Sequence, residues 1–141
     1  MVLIKVDPAD FEVKELINLK IDGGKYLYCK LIKRDYSTIK AVEILSQKLK
    51  IPIKSFGWAG NKDRRALTEQ VISIASLSRR KIETRRIGKD IHLEYIGYGN
   101  SRIHLGDNYG NAFRIKVYNY KKYYPTSWFI NYFGEQRFGK N

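Results

Sequence analysis

The chain has 141 residues, of which 43% are hydrophobic and 29% are charged, a balance that is ordinary for a soluble globular domain. The lone cysteine, Cys29, excludes an internal disulfide framework and a cysteine metal cage, and no apolar run approaches the ~20 residues that span a bilayer. Twenty-seven Lys and Arg residues against 14 Asp and Glu residues give a formal net charge of +13, which indicates a polyanionic partner and favours nucleic acid.

The same composition leaves two alternatives to a nucleic-acid partner. An acidic membrane surface also attracts a basic protein, but no basic amphipathic helix with an aromatic anchor face is found, so no membrane partner is expected. A lysine-rich composition can also reflect genome bias. The amino-terminal residues carry charge too early for a signal peptide, and we therefore expect a cytoplasmic protein.

The first element in chain order is predicted to be a β-hairpin. Residues 10–15 alternate polar and apolar side chains, as a half-buried strand does. Residues 22–24, Asp-Gly-Gly, tolerate positive φ and favour a turn, and residues 26–33 form a second strand. We therefore interpret residues 10–33 as a hairpin.

A helix is predicted next. Ser37 can cap its start, and Pro52 marks its end because the residue before a proline favours extended geometry. Its apolar face would consist of Ala41, Val42, Leu45 and Leu49.

The remaining elements alternate between strands and a helix. A polar loop joins the first two strands, and a Gly- and Asn-rich segment separates the last two. The predicted order is strand, strand, helix, strand and strand, at residues 55–59, 71–75, 79–87, 91–96 and 113–118. Alternating strands and helices with at least one hairpin predict an α+β (mixed α/β) fold.

The carboxy-terminal segment is unusually aromatic. Eight of the 19 aromatic residues lie between Tyr120 and Phe138, whereas chain ends are usually polar and poorly ordered. We expect that more core should follow this segment, and that the isolated chain associates with itself or with another part through it.

The most specific stretch for chemistry is the polar loop at residues 60–70. It contains Asp63 flanked by Lys62, Arg64 and Arg65. Such a loop could both hold RNA phosphates and present a carboxylate to a ribose. The alternative for an isolated Lys-Asp-Arg is a loop acid that pairs with its neighbours.

Four ordered motifs resemble those of the TruD family of transfer-RNA pseudouridine synthases. Residues 60–70 match Gly-x-Lys-Asp-x-x-Ala-x-Thr-x-Gln, and residues 10–15 resemble Asp-Phe-x-Val-x-Glu. Residues 105–107 with 110–115 resemble Leu-Gly-Asp and Gly-Asn-x-Phe-x-Ile, and residues 131–139 resemble Asn-Tyr-Phe-Gly-x-Gln-Arg-Phe-Gly.

The resemblance implies conversion of a uridine in transfer RNA, commonly uridine 13, to pseudouridine without a cofactor or metal. It implies that Asp63 is the catalytic carboxylate, either attacking C1′ or taking a proton from C2′. It further implies a pseudouridine-synthase-like sheet, mixed but mainly antiparallel, with helices on one face. Residues 1–141 would be the amino-terminal portion of the catalytic domain, incomplete at its carboxy terminus and lacking the second lobe.

The resemblance also implies residues that bind the target base. A base that is modified must leave its stack, so an aromatic partner is expected in the pocket. Phe113 would be that partner, Asn111 would hold the base edge or the loop geometry, and Phe11 would form a second wall. Lys62 would position Asp63 or a phosphate. The alternatives are core packing for Phe113 and a solvated side chain for Lys62.

Basic residues outside the pocket are candidates for contact with the RNA backbone. They are Arg64, Arg65, Arg79, Arg80, Arg85, Arg86 and Arg137. For the arginines predicted on the second helix, a solvated helix face is an equally weighted alternative.

Two functions therefore stay open at this point. In the first, the chain is part of a synthase and works with a separate carboxy-terminal half. In the second, it is a non-catalytic RNA-binding module. The presence of Asp63, Asn111 and Phe113 favours the first, since a pure binder has no chemical need for all three.

Overall fold

The fold was analysed in a computed structural model, which describes residues 1–83, 87–121 and 127. The first half contains β1 (Leu3–Ile4), a 3₁₀ turn (Pro8–Asp10), β2 (Phe11–Ile17), β3 (Tyr26–Arg34), α1 (Thr38–Leu49), a second 3₁₀ turn (Ile53–Ser55) and β4 (Phe56–Trp58). The second half contains β5 (Leu67–Ala75), α2 (Arg79–Glu83), β6 (Ile91–Gly99), β7 (Asn108–Ile115) and β8 (Val117–Tyr118). None of the helices in these residues is long and apolar enough to cross a membrane.

The main sheet has the strand order β6-β3-β5-β2-β7, and β4 pairs with the end of β5. The β2–β5 pair is parallel and all other pairs are antiparallel, while β1 and β8 form a separate two-stranded ribbon. The predicted α+β class and the mixed, mainly antiparallel sheet are confirmed.

The hairpin predicted for residues 10–33 is wrong. Strands β2 and β3 exist, but β5 lies between them and pairs with both. The turn signal was real, since Gly23 has a φ of 78°. The main-chain N–H groups of Asp22 and Gly23 donate to the carbonyl of Tyr98 on β6, at 3.0 Å each, instead of closing a hairpin. The turn is therefore anchored on β6, and the chain leaves it to form β3, which lies beside β6 in the sheet.

Several strands differ from their predicted bounds, and β5 and β7 differ most. Strand β5 begins at Leu67 rather than at residue 71, and β7 runs from Asn108 to Ile115 rather than from residue 113 to 118. In both cases polar or glycine-rich residues pair with residues of a neighbouring strand. Gly110, for example, lies opposite Leu16 of β2. Tertiary pairing thus overrides a weak local strand propensity.

Both helices pack on one face of the sheet, as predicted. Ser37 caps α1 by accepting a hydrogen bond from the N–H of Lys40, and Lys50 ends the helix with a φ of 57°. The predicted apolar face of α1 is buried against β3 and β5, and Ile82 of α2 joins the same cluster. Deleting a side chain from such a core typically costs about 2–5 kcal/mol, so this face anchors the sheet. The members of α1 in it are Ala41, Val42, Leu45 and Leu49.

Candidate active site

The loop that joins β4 to β5 carries Asp63, and buried polar side chains fix its main chain. Gln70 of β5 donates from Nε2 to the carbonyl of Gly60 at 3.0 Å. Thr38 of α1 donates to Gln70 Oε1 at 2.8 Å and accepts from the N–H of Lys62 at 2.9 Å. Thr38 and Gln70 are almost completely buried. The start of α1 and the middle of β5 therefore hold the loop in one geometry.

Lys62 points into the protein rather than into solvent. Its Nζ lies 3.0 Å from Glu15 Oε1 and donates to Asn111 Oδ1 at 2.7 Å. The Lys62 side chain is 6% exposed and that of Glu15 is 0% exposed. Glu15 also accepts from the N–H of Val71 at 3.0 Å. These contacts tie the loop to β2, β5 and β7, which favours the positioning role of Lys62 over contact with a phosphate.

Asp63 presents its carboxylate at the surface of the cleft. The side chain is 41% exposed, and Lys5 Nζ lies 3.1 Å from Oδ2. The same ammonium lies 3.7 Å from the centroid of the Phe11 ring, within the range of a cation–π contact. Lys5 thus joins the carboxylate to the aromatic wall.

Two phenylalanines from neighbouring strands form that wall. The ring centroids of Phe11 and Phe113 are 6.0 Å apart and the rings are tilted by 60°. Phe113 lies directly opposite Val13 in the β2–β7 register, and 59% of it is exposed. An apolar ring that is this accessible is available for stacking on a base, which core packing would prevent.

The cleft has a volume of about 240 Å³ and brings three distant segments together. Asn111 and Phe113 both line it, as their spacing of two on one strand predicts. Every residue predicted for catalysis or base binding is in its lining, which consists of Phe11, Val13, Asn61, Lys62, Asp63, Asn111 and Phe113.

Two lysines of this site were missed by the sequence analysis. Lys5 lies in no periodic pattern that would predict its position in the fold. The one feature of the sequence that could have indicated it is its place shortly before the Asp-Phe motif. Lys33 occupies the fourth inward position of β3, after Leu27, Cys29 and Leu31. Its side chain is fully buried, and burial lowers the pKa of its ammonium from 10.5 to about 8. The sequence could have indicated Lys33, because a charged residue at a position of a strand that alternation assigns to the buried face is unusual.

The predicted RNA-contacting arginines lie in two places. Arg64 and Arg65 follow Asp63 and are exposed; Arg64 Nε lies 3.8 Å from Asp35 Oδ1. Arg79 and Arg80 begin α2, which packs against β6 at the edge of the sheet opposite to β7. Arg79 pairs with a glutamate one turn along α2 and lies 4.5 Å from the Tyr95 ring centroid. Arg85, Arg86 and Arg137 lie outside the described residues.

Within residues 1–83, 87–121 and 127, no three His, Cys, Asp or Glu side chains come together as potential ligands. The polar groups at the cleft are two lysines, one carboxylate and the side-chain amides of two asparagines.

Comparison with known proteins places this geometry in a family context. The family model for tRNA pseudouridine synthase D (TruD) matches residues 2–141. The chain is 37% identical to tRNA pseudouridine synthase D of Aquifex aeolicus, covering 96% of this chain and 39% of that protein. It is 38% identical to "Probable tRNA pseudouridine synthase D" of Archaeoglobus fulgidus, covering 96% of this chain and 35% of that protein.

A solved structure is similar as well. The crystal structure assigned to tRNA pseudouridine synthase D (TruD) of Methanosarcina mazei superposes with a TM-score of 0.79 at 41% identity. The match covers 82% of this chain and 26% of that one. The chain therefore spans less than two-fifths of the length of the relatives named here.

Proposed function

This chain belongs to the TruD family of tRNA pseudouridine synthases, and on that basis we propose that it supplies the catalytic carboxylate of such an enzyme. The reaction is the isomerisation of a uridine in transfer RNA, uridine 13 by family resemblance, to pseudouridine. Asp63 is the catalytic residue, and the protein works in the cytoplasm on this substrate.

The observation that carries the proposal is the assembly of one cleft from the family motifs. Asp63, Phe11 and Phe113 come from three segments of the sequence, and the fold brings them around a single opening. The cleft volume of about 240 Å³ suits a single base that has left its stack. A module that only bound RNA would not need a carboxylate held beside two aromatic rings.

The chemistry requires a carboxylate next to the ribose and a wall that lets the base turn. The bond between N1 and C1′ breaks, the uracil rotates, and a bond between C5 and C1′ forms. C5 loses its proton and N1 gains one, so no other reactant is consumed. Asp63 acts on the ribose during this sequence, at C1′ or at the C2′ proton. Lys5, 3.1 Å away, holds the carboxylate in place.

The aromatic wall suits the rotation step for a physical reason. Stacking on Phe113 is favourable but has no fixed direction in the plane of the ring, whereas a hydrogen bond would hold the base in one orientation. An exposed ring can therefore retain the detached uracil while it turns. Asn111 accepts from Lys62 through its side-chain oxygen, and its amide nitrogen has no hydrogen bond among the described residues, so it can donate to the base edge.

The remainder of the enzyme is proposed to come from a carboxy-terminal part. Among the described strands β7 lies at an edge of the sheet, with most of its residues exposed. Apolar residues on β7 and on the β1–β8 ribbon are about half exposed. Such a surface favours association, either with that part or with a second copy. The aromatic segment predicted to take part lies almost entirely outside the described residues. The apolar residues are Leu3, Ile4, Phe113, Ile115 and Val117.

The test is pseudouridine formation on unmodified transfer RNA. The chain would be assayed alone and with the carboxy-terminal half supplied, beside an Asp63→Asn variant that keeps the shape of the side chain. Asp35→Asn is the matched control: Asp35 is an exposed loop carboxylate outside the cleft, and asparagine tolerates its φ of 58°.

The proposal requires product from the native chain and the Asp35 variant, and none from the Asp63 variant. Dependence on the added half would show that the chain is one part of a two-part site. Salt-sensitive binding of transfer RNA without product under either condition would contradict the enzyme and favour the binding module.

A further inference from the structure

Lys33 is a charged side chain in the interior of the sheet. It is fully buried on β3, in line with Leu27, Cys29 and Leu31 of the helix-side core. Its cross-strand neighbours are uncharged: Thr68 on β5 and Ile91 on β6. The position therefore combines an apolar environment with an ammonium group.

The hydrogen bonds of Lys33 within the described residues go to main-chain carbonyls. Nζ donates to the carbonyl of Tyr36 at 2.6 Å and to the carbonyl of Asp63 at 3.3 Å. These carbonyls belong to the turn before α1 and to the loop that carries the carboxylate. The ammonium thus joins two segments that are separated by 27 residues of chain.

Enclosing an ammonium at this position carries a desolvation cost. Burial lowers the pKa of Lys33 to about 8, the Asp63 carboxylate acts in the opposite direction, and the Lys62 ammonium acts in the same direction as burial. A methionine or leucine would fill a similar volume without the cost of an enclosed charge. Core packing alone does not account for a lysine here.

We propose that Lys33 is a positioning residue, which fixes the direction of the Asp63 side chain by holding the main-chain carbonyl of Asp63. The role in catalysis rests on the proposed function, whereas the positioning itself does not. The main chain at Asp63 is then held on both sides of its Cα atom. The N–H of Lys62 is bound by Thr38 on one side, and the carbonyl of Asp63 is bound by Lys33 on the other.

The test compares Lys33→Met with the matched control Lys30→Met in the chain with its carboxy-terminal half. Lys30 is on the same strand but on the opposite face, and it pairs at the surface with Glu94 at 3.1 Å. Three quantities are measured: the thermal unfolding midpoint, the exchange rate of the Lys62 amide hydrogen, and kcat and KM on unmodified transfer RNA.

For Lys33→Met we expect an unchanged or raised midpoint and amide exchange faster by about tenfold. We expect kcat to fall by about 100-fold at an unchanged KM, since a misplaced catalytic group affects the chemical step and not RNA binding. Lys30→Met should leave all three quantities unchanged.

If the Lys62 amide of Lys33→Met exchanges at the native rate, the proposal is overturned. The same holds if kcat falls only in parallel with a lowered thermal unfolding midpoint. If the native protein makes no pseudouridine but exchange still accelerates, the positioning stands and the proposed function fails. Lys33→Leu is the second variant. Failure of both variants to fold would overturn the proposal, because the ammonium would then be needed for folding.

Discussion

The buried ion pair between Glu15 and Lys62 allows a prediction whose size can be worked out. The charged atoms lie 3.0 Å apart, and the two side chains are 0% and 6% exposed. Glu15→Gln keeps the shape of the side chain and still offers an oxygen to the N–H of Val71. It removes the charge opposite Lys62, so the ammonium stays enclosed without its carboxylate.

Breaking a buried pair by removing one partner typically costs about 3–5 kcal/mol. Asn111 still accepts a hydrogen bond from Lys62 in the variant, which favours the lower end, about 3 kcal/mol. That is a large part of the roughly 5–15 kcal/mol by which a domain is stable. Urea unfolding with an unchanged slope would measure the loss as a shift of the midpoint.

Two further variants give the reasoning a control. The double variant Glu15→Gln with Lys62→Met leaves no unpaired charge, and its loss should fall short of the sum of the single losses by about 1 kcal/mol or more. The Lys30–Glu94 pair has nearly the same distance, 3.1 Å, but is partly exposed, so Glu94→Gln should cost less than about 1 kcal/mol. A loss for Glu15→Gln no greater than for Glu94→Gln would refute the argument.

Three other predictions follow from burial and exposure. Phe113→Ala should lower the free energy of unfolding by less than about 1 kcal/mol in thermal unfolding, because the ring is 59% exposed. In filter binding it should weaken RNA binding by about 1–3 kcal/mol. Equal losses in stability and in binding would contradict a stacking role. The pKa of Lys33 is about 8 in the folded state and near 10.5 when unfolded, so below pH 8 both states are protonated and the burial penalty is constant. Between these two pH values the unfolded chain binds more protons than the folded chain, so the stability of the native chain rises with pH. The difference in unfolding free energy between Lys33→Met and the native chain, measured by urea unfolding, should therefore change in favour of the native chain by up to about 3 kcal/mol. A difference that stays constant with pH would refute this. Burial raises the pKa of the Cys29 thiol to about 12, so a thiol reagent at pH 8 should modify it only as urea unfolds the protein, and rapid labelling of the native chain would contradict its burial.

Several features of this protein could be predicted from short stretches of sequence. The apolar face of α1 follows from a 3.6-residue period, and Ser37 caps the helix for a reason that is local to its first turn. Asp63 and Phe113 were identified because each belongs to a short motif of characteristic residue types. Their placement in one cleft was the consequence expected from the resemblance.

Other features depend on residues that are far apart in the chain. The Asp-Gly-Gly turn was correctly recognised, but which carbonyl its N–H groups bind is decided by β6, so the hairpin prediction failed. No local pattern shows that Lys62 turns inward to Glu15, or that Lys5 reaches Asp63, 58 residues away. Such contacts depend on how the strands are ordered.

The sequence by itself thus determined the helix face, most strand positions, the basic charge and the identity of the candidate carboxylate, because period, capping and motif are local properties. Only the tertiary structure decided that β5 separates β2 from β3. It also decided that Lys5 pairs with the Asp63 carboxylate, that Lys33 binds the Asp63 carbonyl, and that Lys62 turns inward to Glu15. The physical reason is that strand order and burial are set by the lowest free energy of the whole chain. A lysine side chain is therefore a surface cation or an enclosed one depending on which residues pack over it.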